Sequence, residues 1–343
     1  MIVPAFRFTM SDGGRVHETE SRLPLFAYDL ERYGPQAPPP AIPFDQCTAE
    51  VYCRTLATSH YENFPVVSWL LPKGLHQHFY NVYAYCRWAD DLGDEVGDTA
   101  KSLELLNWWR GELNACYEGR LRHPVFIALK PTIDAFSIPR QPFLDLISAF
   151  EQDQSILEYD SFDQLRDYCR RSADPVGRLV LFLCRAYNEQ NVIWSDSICT
   201  GLQLANFWQD VARDFAIGRI YLPKEDYLRF GYDRRDFDVR RINPAFLELM
   251  KFEVDRARQF LRQGLPLVEQ LPGRLQVDID LFAHGGLRIL DRIEAIGYRV
   301  WETRPKVSKL DAVGLVMGAL WRQLFRRSRP GQNQGQPTSR EHS

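Results

Sequence analysis

Acidic side chains are concentrated at the end of one aromatic helical segment, residues 83–95. Asp90, Asp91 and Asp94 lie there, and the spacing of Asp90 and Asp94 places both on one helix face. Like charges at this spacing repel each other, and burial beside the tyrosine and tryptophan side chains of the segment would raise that cost unless a cation compensates. Taken alone, the segment is better explained as a solvated acidic helix end.

A second segment changes this interpretation. Gln203, Asn206, Asp210 and Asp214 follow one another in steps of three, four and four residues, so they form one polar stripe along a helix. The residues between them are mostly apolar, which indicates that the stripe faces a cavity and not solvent. Two such helices facing each other would enclose carboxylates that need a metal ion.

The ligand types select the metal. All the candidate ligands are hard oxygen donors without a neighbouring histidine or cysteine, which favours Mg²⁺, with Mn²⁺ as an option, over Zn²⁺. Mg²⁺ commonly bridges protein carboxylates to substrate phosphates, so we expect a diphosphate substrate. Arg87, Arg213 and Arg219 lie within a turn or two of the acids and could hold diphosphate oxygens. The alternative is that they pair with the same aspartates.

This sequence lacks the signatures of several other classes of protein. A di-iron bundle needs a glutamate three residues before a histidine, and none of the seven histidines has one. A P-loop and a G-x-G-x-x-G fingerprint are absent, so we expect neither nucleotide hydrolysis nor a nicotinamide cofactor. The net charge of −3 does not favour a nucleic-acid partner.

The hydrophobic periodicity predicts an all-α fold with helices around a central cavity and no sheet. Pro175 falls within one of the predicted helices, where either a kink or a break into two helices is expected. The segments with a helical period are 45–57, 74–96, 100–119, 123–136, 140–157, 161–188, 192–217, 243–270 and 273–298.

Composition divides the chain into three parts. Residues 1–43 form a proline-rich extension, disordered or draped over the body, and residues 44–304 form the catalytic helical domain. Residues 305–343 contain a basic amphipathic helix and a disordered tail; that helix could lie on a membrane surface or dock on the body. Seven cysteines without a C-x-x-C, and no signal-peptide core, favour a cytoplasmic protein that could bind the inner face of a membrane peripherally.

These motifs resemble those of the squalene/phytoene synthase family of head-to-head prenyl transferases. The resemblance covers roughly residues 44–299 and includes both aspartate-rich motifs, 90–94 and 210–214, and the stretch 218–223 (Gly-Arg-Ile-Tyr-Leu-Pro). It also includes Tyr83, Arg87, Gln203 and Asn206 before the two motifs, and 159–177 as a central helix. It implies an isoprenoid-synthase-type helical bundle.

Two stretches differ from the condensing enzymes of the family: Ser59-His-Tyr-Glu-Asn-Phe64, and Ser172-Ala-Asp-Pro175. Both are most similar to the bacterial hopanoid-pathway branch of hydroxysqualene synthases. That branch converts presqualene diphosphate and water to hydroxysqualene and diphosphate. The alternatives are a phytoene, dehydrosqualene or presqualene diphosphate synthase and, outside enzymes, an inactive helical assembly partner of a membrane isoprenoid complex.

The resemblance implies roles for individual residues, with an isoprenoid diphosphate as substrate and downstream pathway enzymes as further partners. Tyr61, Asn63 or Asp174 would place the water. The expected metal ligands are Asp90, Asp91, Asp94, Asn206, Asp210 and Asp214; Arg87, Arg213 and Arg219 would bind the diphosphate; Tyr83, Tyr168, Tyr61 and Asn63 would be catalytic; Phe64, Trp208 and Gln203 would line the cavity.

Overall fold

The protein is described by a computed structural model that covers residues 25–38, 44–59, 71–273 and 275–308, together with 311, 314–319 and 322. The described residues form helices and no strand, apart from an isolated bridge between Glu158 and Ile220. The all-α prediction is confirmed. The helices are α1 (Leu25–Tyr33), α2 (Gln46–Ser59), α3 (Lys73–Asp94), α4 (Thr99–Tyr117), α5 (Pro124–Phe136), α6 (Gln141–Asp153), α7 (Phe162–Ser172), α8 (Asp174–Leu183), α9 (Glu189–Ala216), α10 (Lys224–Arg229), α11 (Arg234–Asp238), α12 (Pro244–Gly264), α13 (Leu267–Gln270) and α14 (Leu275–Ala295).

Side-chain caps fix where the long helices begin. The Asn188 side chain accepts a hydrogen bond from the backbone N–H of Asn191 and so starts α9. The Asn243 side chain caps α12 in the same way, and Pro244 occupies its first turn, where no backbone donor is needed. These caps lie next to the periodic segments, which is why the predicted bounds of the long helices agree with the structure within a few residues.

Pro175 marks a break and not a kink. The predicted helix 161–188 ends at Ser172, and α8 begins at Asp174 with the proline in its first turn. A proline there lacks only an amide that would have had no helical partner. The structure therefore confirms the expected break into two separate helices, and the alternative expectation of a kinked helix is wrong.

The long helix α9 runs through the centre of the bundle and packs closely on α12 and α14. Close approach is possible because glycines stand at the crossings: a Cβ added to Gly201 would lie 2.7 Å from a side-chain carbon of Leu261, and one added to Gly286 would lie 2.7 Å from Leu202. Burial extends from Ser195 to Asp214 along α9. The bundle thereby fixes the helix that carries the second polar stripe.

Both terminal regions contribute to the described body. Within the proline-rich segment 1–43, α1 packs on the bundle, with the Phe26 ring 5.4 Å from that of Trp88 and the Tyr52 hydroxyl donating to Asp29 at 2.7 Å. At the other end, Arg288 and Arg292 hold Asp311, and residues 314–319 are helical. Among the described helices, none has the length and apolar character needed to span a bilayer.

Candidate active site

The acids of α3 lie in its last turns and are mostly buried. Asp91 accepts a hydrogen bond from Arg87 Nε at 3.0 Å, and Asp90 lies 4.0 Å from another nitrogen of the same guanidinium. Burial raises the pKa of Asp91 to about 7, against the opposing charge of Arg87. Asp94 is more exposed and lies 3.8 Å from Arg219. Arg87 and Arg219 are thus the arginine partners of the first motif.

The acids of α9 occupy the corresponding end of the central helix. Burial, reinforced by the charge of Asp210, raises the pKa of Asp214 to about 8. Its Oδ2 atom is buried and receives no hydrogen bond from any described residue. Asp210 pairs with Arg304, whose Nη2 lies 3.0 Å from Oδ2, and more loosely with Arg213 at 3.8 Å. Asn206 is buried one turn earlier on the same helix.

Arg219 connects the two motifs. Its backbone N–H donates to the carbonyl oxygen of Asp214 at 2.8 Å, and its guanidinium lies 3.8 Å from Asp94. The guanidinium also donates to the carbonyl of Asp153 at 3.4 Å. The carboxyl-terminal ends of α3, α6 and α9 thus meet around one arginine, so the structure brings the two acidic segments together as predicted.

An apolar tunnel begins beneath this meeting point. Tyr83 and Gln203 both line it, and each stands two helical turns before an acid of the motifs, Asp90 and Asp210 respectively. Deeper walls are formed by apolar side chains such as Phe79 and those of α8, α13 and α14, and the volume is about 1180 Å³ with its open mouth included. The lining is almost wholly apolar, as a hydrocarbon chain requires, and the acids Asp90 and Asp210 lie two helical turns further along α3 and α9.

The donor set suits a divalent cation in combination with a phosphate group. No three His, Cys, Asp or Glu side chains within the described ranges stand close enough together to hold a metal by themselves. The available donors are carboxylate and amide oxygens, and one buried oxygen of Asp214 has no partner there. Mg²⁺ typically takes one or two carboxylates and completes its shell with water and substrate phosphate oxygens. These residues meet that requirement.

A cluster of tyrosines lies beside the acids. The Tyr168 hydroxyl donates to Asp153 Oδ2 at 2.9 Å, and the rings of Phe207 and Tyr221 stack at 3.8 Å. Burial raises the pKa of Asp153 to about 7. The sequence-based prediction included Tyr168 but missed Asp153. The sequence did contain a signal for Asp153. It lies three residues after the buried Phe150, which places an acid on the inner face of α6.

Several predicted residues lie elsewhere. Trp208 does not line the tunnel; it is five residues from Gln203, on a different face of α9, and borders a smaller cavity beside Asp214. Its predicted role as a cavity residue stays a prediction. The side chain of Arg213 is mostly exposed. Asp174 is bound by Arg166 at 2.8 Å and by Thr200 at 2.8 Å and does not line the tunnel, so it is no candidate for placing water there.

Three predicted residues, Tyr61, Asn63 and Phe64, lie outside the described residues. One further charged residue was missed by sequence reasoning. Arg304 follows the last long helix, and a hydrogen bond from Gln209 Nε2 to the carbonyl of Pro305 (2.5 Å) holds its segment against α9. No periodicity or motif singles out Arg304, because its contact with Asp210 is purely tertiary.

The fold and the site define a class of protein: a helical bundle of the isoprenoid-synthase type, with an acid-lined mouth over an apolar tunnel. The sequence profile described as squalene/phytoene synthase matches residues 57–311. A phytoene synthase of Arthrospira platensis is 32% identical over 272 residues, covering 74% of this chain and 87% of that protein. The chain belongs to the squalene/phytoene synthase family.

Two further relatives share a large part of the chain. A hydroxysqualene synthase of Rhodopseudomonas palustris is 30% identical over 283 residues, covering 80% of this chain and 93% of that protein. The crystal structure of squalene synthase HpnC from Alicyclobacillus acidocaldarius superposes with a TM-score of 0.71 at 43% identity, covering 75% of this chain and 97% of that one. Each of these is similar along most of its own length.

Proposed function

We propose that the protein converts presqualene diphosphate and water to hydroxysqualene and diphosphate with the help of Mg²⁺. The observation that supports the ionisation of an isoprenoid diphosphate is the position of the acids and arginines directly above an apolar tunnel. Tyr83 and Gln203 line that tunnel two turns from Asp90 and Asp210. An amphiphilic substrate carries its charge at one end and its hydrocarbon chain at the other. The charged residues and the apolar tunnel are arranged in the same order.

The residues of the mouth would hold the departing diphosphate. Mg²⁺ would be bound by Asp90, Asp91, Asp94, Asn206, Asp210 and Asp214 and would stabilise the negative charge that develops on the leaving group. Arg87, Arg219 and Arg304 already pair with these acids, and their guanidinium groups present further donors that can turn to phosphate oxygens. This is stabilisation of charge by preorganised groups.

The carbocation that remains must be protected from all but one water molecule. The tunnel walls next to the mouth are apolar, and Tyr83 contributes an aromatic ring that can stabilise a passing cation. We place Tyr168 in a supporting role, because its hydroxyl is committed to Asp153. We keep Tyr61 and Asn63 as the residues proposed to place the water.

Addition of water is favoured over condensation by sequence. The stretches 59–64 and 172–175 resemble the hydroxysqualene synthase branch, and a relative of that name matches 80% of the chain. Condensation of two prenyl diphosphates is the alternative, since other relatives are named phytoene synthase and squalene synthase. An inactive assembly partner is the third possibility, and the intact acid pairs speak against it.

Product analysis separates these functions. The purified protein is incubated with Mg²⁺ and either presqualene diphosphate or farnesyl diphosphate, and the extracted products are identified by mass spectrometry. We expect hydroxysqualene from the first substrate and no consumption of the second. Consumption of farnesyl diphosphate in the absence of presqualene diphosphate would establish a condensing enzyme. If neither substrate reacts, the protein is incubated with geranylgeranyl diphosphate, whose consumption would indicate a phytoene synthase and whose persistence would favour the assembly partner.

A peripheral membrane contact belongs to the same proposal, since an insoluble product must leave the protein. Val316 and Met317 are exposed on the helical stretch 314–319, and the neighbouring Arg322 is pinned to Asp280. Exposed apolar side chains beside basic ones are typical of interfacial helices. Sedimentation with anionic vesicles tests this contact, with Met317→Glu expected to weaken binding; equal binding of that variant would argue against it.

A further inference from the structure

Asp278 stands in the wall of the apolar tunnel, far from the acids of the mouth. It lies in the first turn of α14 and is 1% exposed. Leu275, Asp278, Ile279 and Phe282 follow the helical spacing of three, four and seven residues, and all four line the tunnel. A carboxyl group therefore occupies a position in the stripe where an apolar side chain would be expected.

Neither carboxyl oxygen of Asp278 has a hydrogen-bond partner among the described residues. A buried polar group without a partner is strongly unfavourable, and a water molecule held in the tunnel is a partner that this position can take. Burial raises the pKa of Asp278 to about 8, which keeps the group neutral at neutral pH. A neutral carboxylic acid donates one hydrogen bond and accepts others, as a bound water molecule requires.

The depth of Asp278 follows from the helices around it. Leu75 of α3 and Leu275 of α14 border one cavity, and both helices run from there towards the mouth, where Arg304 meets Asp210. Asp90 lies fifteen residues beyond Leu75, and Asp278 lies three beyond Leu275. At a rise of about 1.5 Å per residue, Asp278 is about 18 Å from the level of Asp90 along the bundle.

This depth corresponds to the length of a fifteen-carbon isoprenoid tail. The twelve-carbon backbone of a farnesyl chain extends about 14 Å, at about 1.3 Å per bond. The metal and phosphate oxygens between the carboxylates and the first carbon add about 5 Å. The end of such a tail reaches Asp278, whereas a twenty-carbon tail continues past it. Apolar space continues there too, because Leu275 borders both the tunnel and the next cavity.

We propose that Asp278 is a specificity-determining residue that holds water at the deep end of the tunnel and so disfavours isoprenoid tails longer than fifteen carbons. The inference rests on the proposed isoprenoid diphosphate substrate. A longer tail would push the water away and leave the carboxyl group against hydrocarbon without a partner. A fifteen-carbon tail stops at the water and leaves its hydrogen bonds intact.

The test uses inert farnesyl and geranylgeranyl thiolodiphosphates, which bind in the presence of Mg²⁺ without reacting. Titration calorimetry gives the two dissociation constants for the wild-type protein, for Asp278→Leu and for Asp278→Asn. We expect the wild-type protein and Asp278→Asn to prefer the shorter analogue, because both keep a polar group there. Asp278→Leu should shift the ratio of the two constants about tenfold towards the longer analogue.

The outcomes separate this inference from the proposed function. If both analogues bind and Asp278→Leu leaves their ratio unchanged, the role of Asp278 is refuted while the substrate class stands. If neither analogue binds the wild-type protein, this inference fails, while diphosphate release from presqualene diphosphate decides the substrate class separately. Asp291→Asn, on the same helix but outside the tunnel lining, where Asp291 pairs with Arg258, is the control and should leave the ratio unchanged. Thermal unfolding of each variant verifies that it is folded.

Discussion

Two groups of buried acids in this bundle have opposite characters. Asp226 and Glu253 share one arginine, Arg256, which donates to Asp226 at 2.7 Å and to Glu253 at 3.0 Å and lies 4.0 Å from the centre of the Phe162 ring. We call these residues the closed cluster, because both acids are paired with the arginine inside it. The acids at the ends of α3 and α9 instead stand above a tunnel, and one oxygen of Asp214 has no partner among the described residues.

A functional site and a structural network can both contain buried acids with perturbed pKa values. Burial raises the pKa of Glu253 well above its ordinary value, much as it raises that of Asp214, so a perturbed pKa does not separate the two groups. What separates them is the open hydrogen-bonding capacity and the adjoining cavity of the acids at the ends of α3 and α9. We therefore expect changes at the mouth to affect turnover and changes in the closed cluster to affect stability.

The largest effect on turnover is expected from Asp210→Ala. Loss of a ligand that stabilises the departing diphosphate should lower kcat by at least about a thousandfold, while the thermal unfolding temperature changes little. The measurement is steady-state release of diphosphate from presqualene diphosphate. Asp196→Asn on the same helix, whose carboxylate pairs with Arg178, is the matched control and should retain most activity. Full activity of Asp210→Ala would remove the metal role from the second motif.

The closed cluster should show the reverse behaviour. Arg256→Ala leaves Asp226 and Glu253 without their shared cation, so the free energy of unfolding should fall by about 3 kcal/mol. The kcat of the remaining folded protein should stay near that of the wild type. Urea denaturation combined with an activity assay at low temperature measures both quantities. A loss of kcat at unchanged stability would erase the contrast between the two acidic groups.

A smaller loss is expected from Arg219→Gln, which removes the charge between the two motifs but keeps an amide. We expect kcat/KM to fall about a hundredfold, since one preorganised donor to the leaving group is lost. Arg219→Lys should recover part of the rate because it restores the charge without the planar fork. If both variants behave like the wild type, Arg219 does not contact the substrate.

The smallest effect concerns the dependence of stability on pH at Asp278. Its pKa is about 8 in the folded protein against 3.8 for the ordinary group, so the folded state binds the proton more tightly. This contribution to stability is complete below about pH 4 and is lost as the pH rises towards 8. Between pH 5 and pH 8, the wild type should lose more than about 1 kcal/mol relative to Asp278→Asn. Parallel stability curves for the two proteins would show that the carboxyl group is not neutral when folded.

The sequence was a sufficient guide to the long helices and to the acids of the mouth. Regular apolar spacing predicts α3 and α9 because burial selects one face of each helix, and the polar steps from Gln203 to Asp214 interrupt that rule visibly. The short helices α10 and α11 were missed, since fewer than two turns give no measurable period. Helix α13 lies within the predicted segment 243–270, but its separation from α12 was not predicted. Helix α1 was missed because it lies in a segment dominated by proline.

The spacing of residues along the sequence does not predict tertiary contacts. Arg304 reaches Asp210 across 94 residues of sequence, and Asp153 meets Tyr168 from a different helix. Trp208 borders the smaller cavity beside Asp214 and not the tunnel, because an aromatic residue near a polar stripe can belong to either face of the helix. Asp278 carried a readable signal, an acid within the apolar stripe of α14, but its role depends on the depth of the tunnel.

Diphosphate release tests the central claim most directly. The protein is incubated with presqualene diphosphate, and the liberated diphosphate is followed with Mg²⁺ present, after removal of metals by EDTA, and after Mg²⁺ is restored. We expect release that stops with EDTA and returns with Mg²⁺. Release that continues undiminished in EDTA would contradict a role for the acids of α3 and α9 in holding a metal against the departing group.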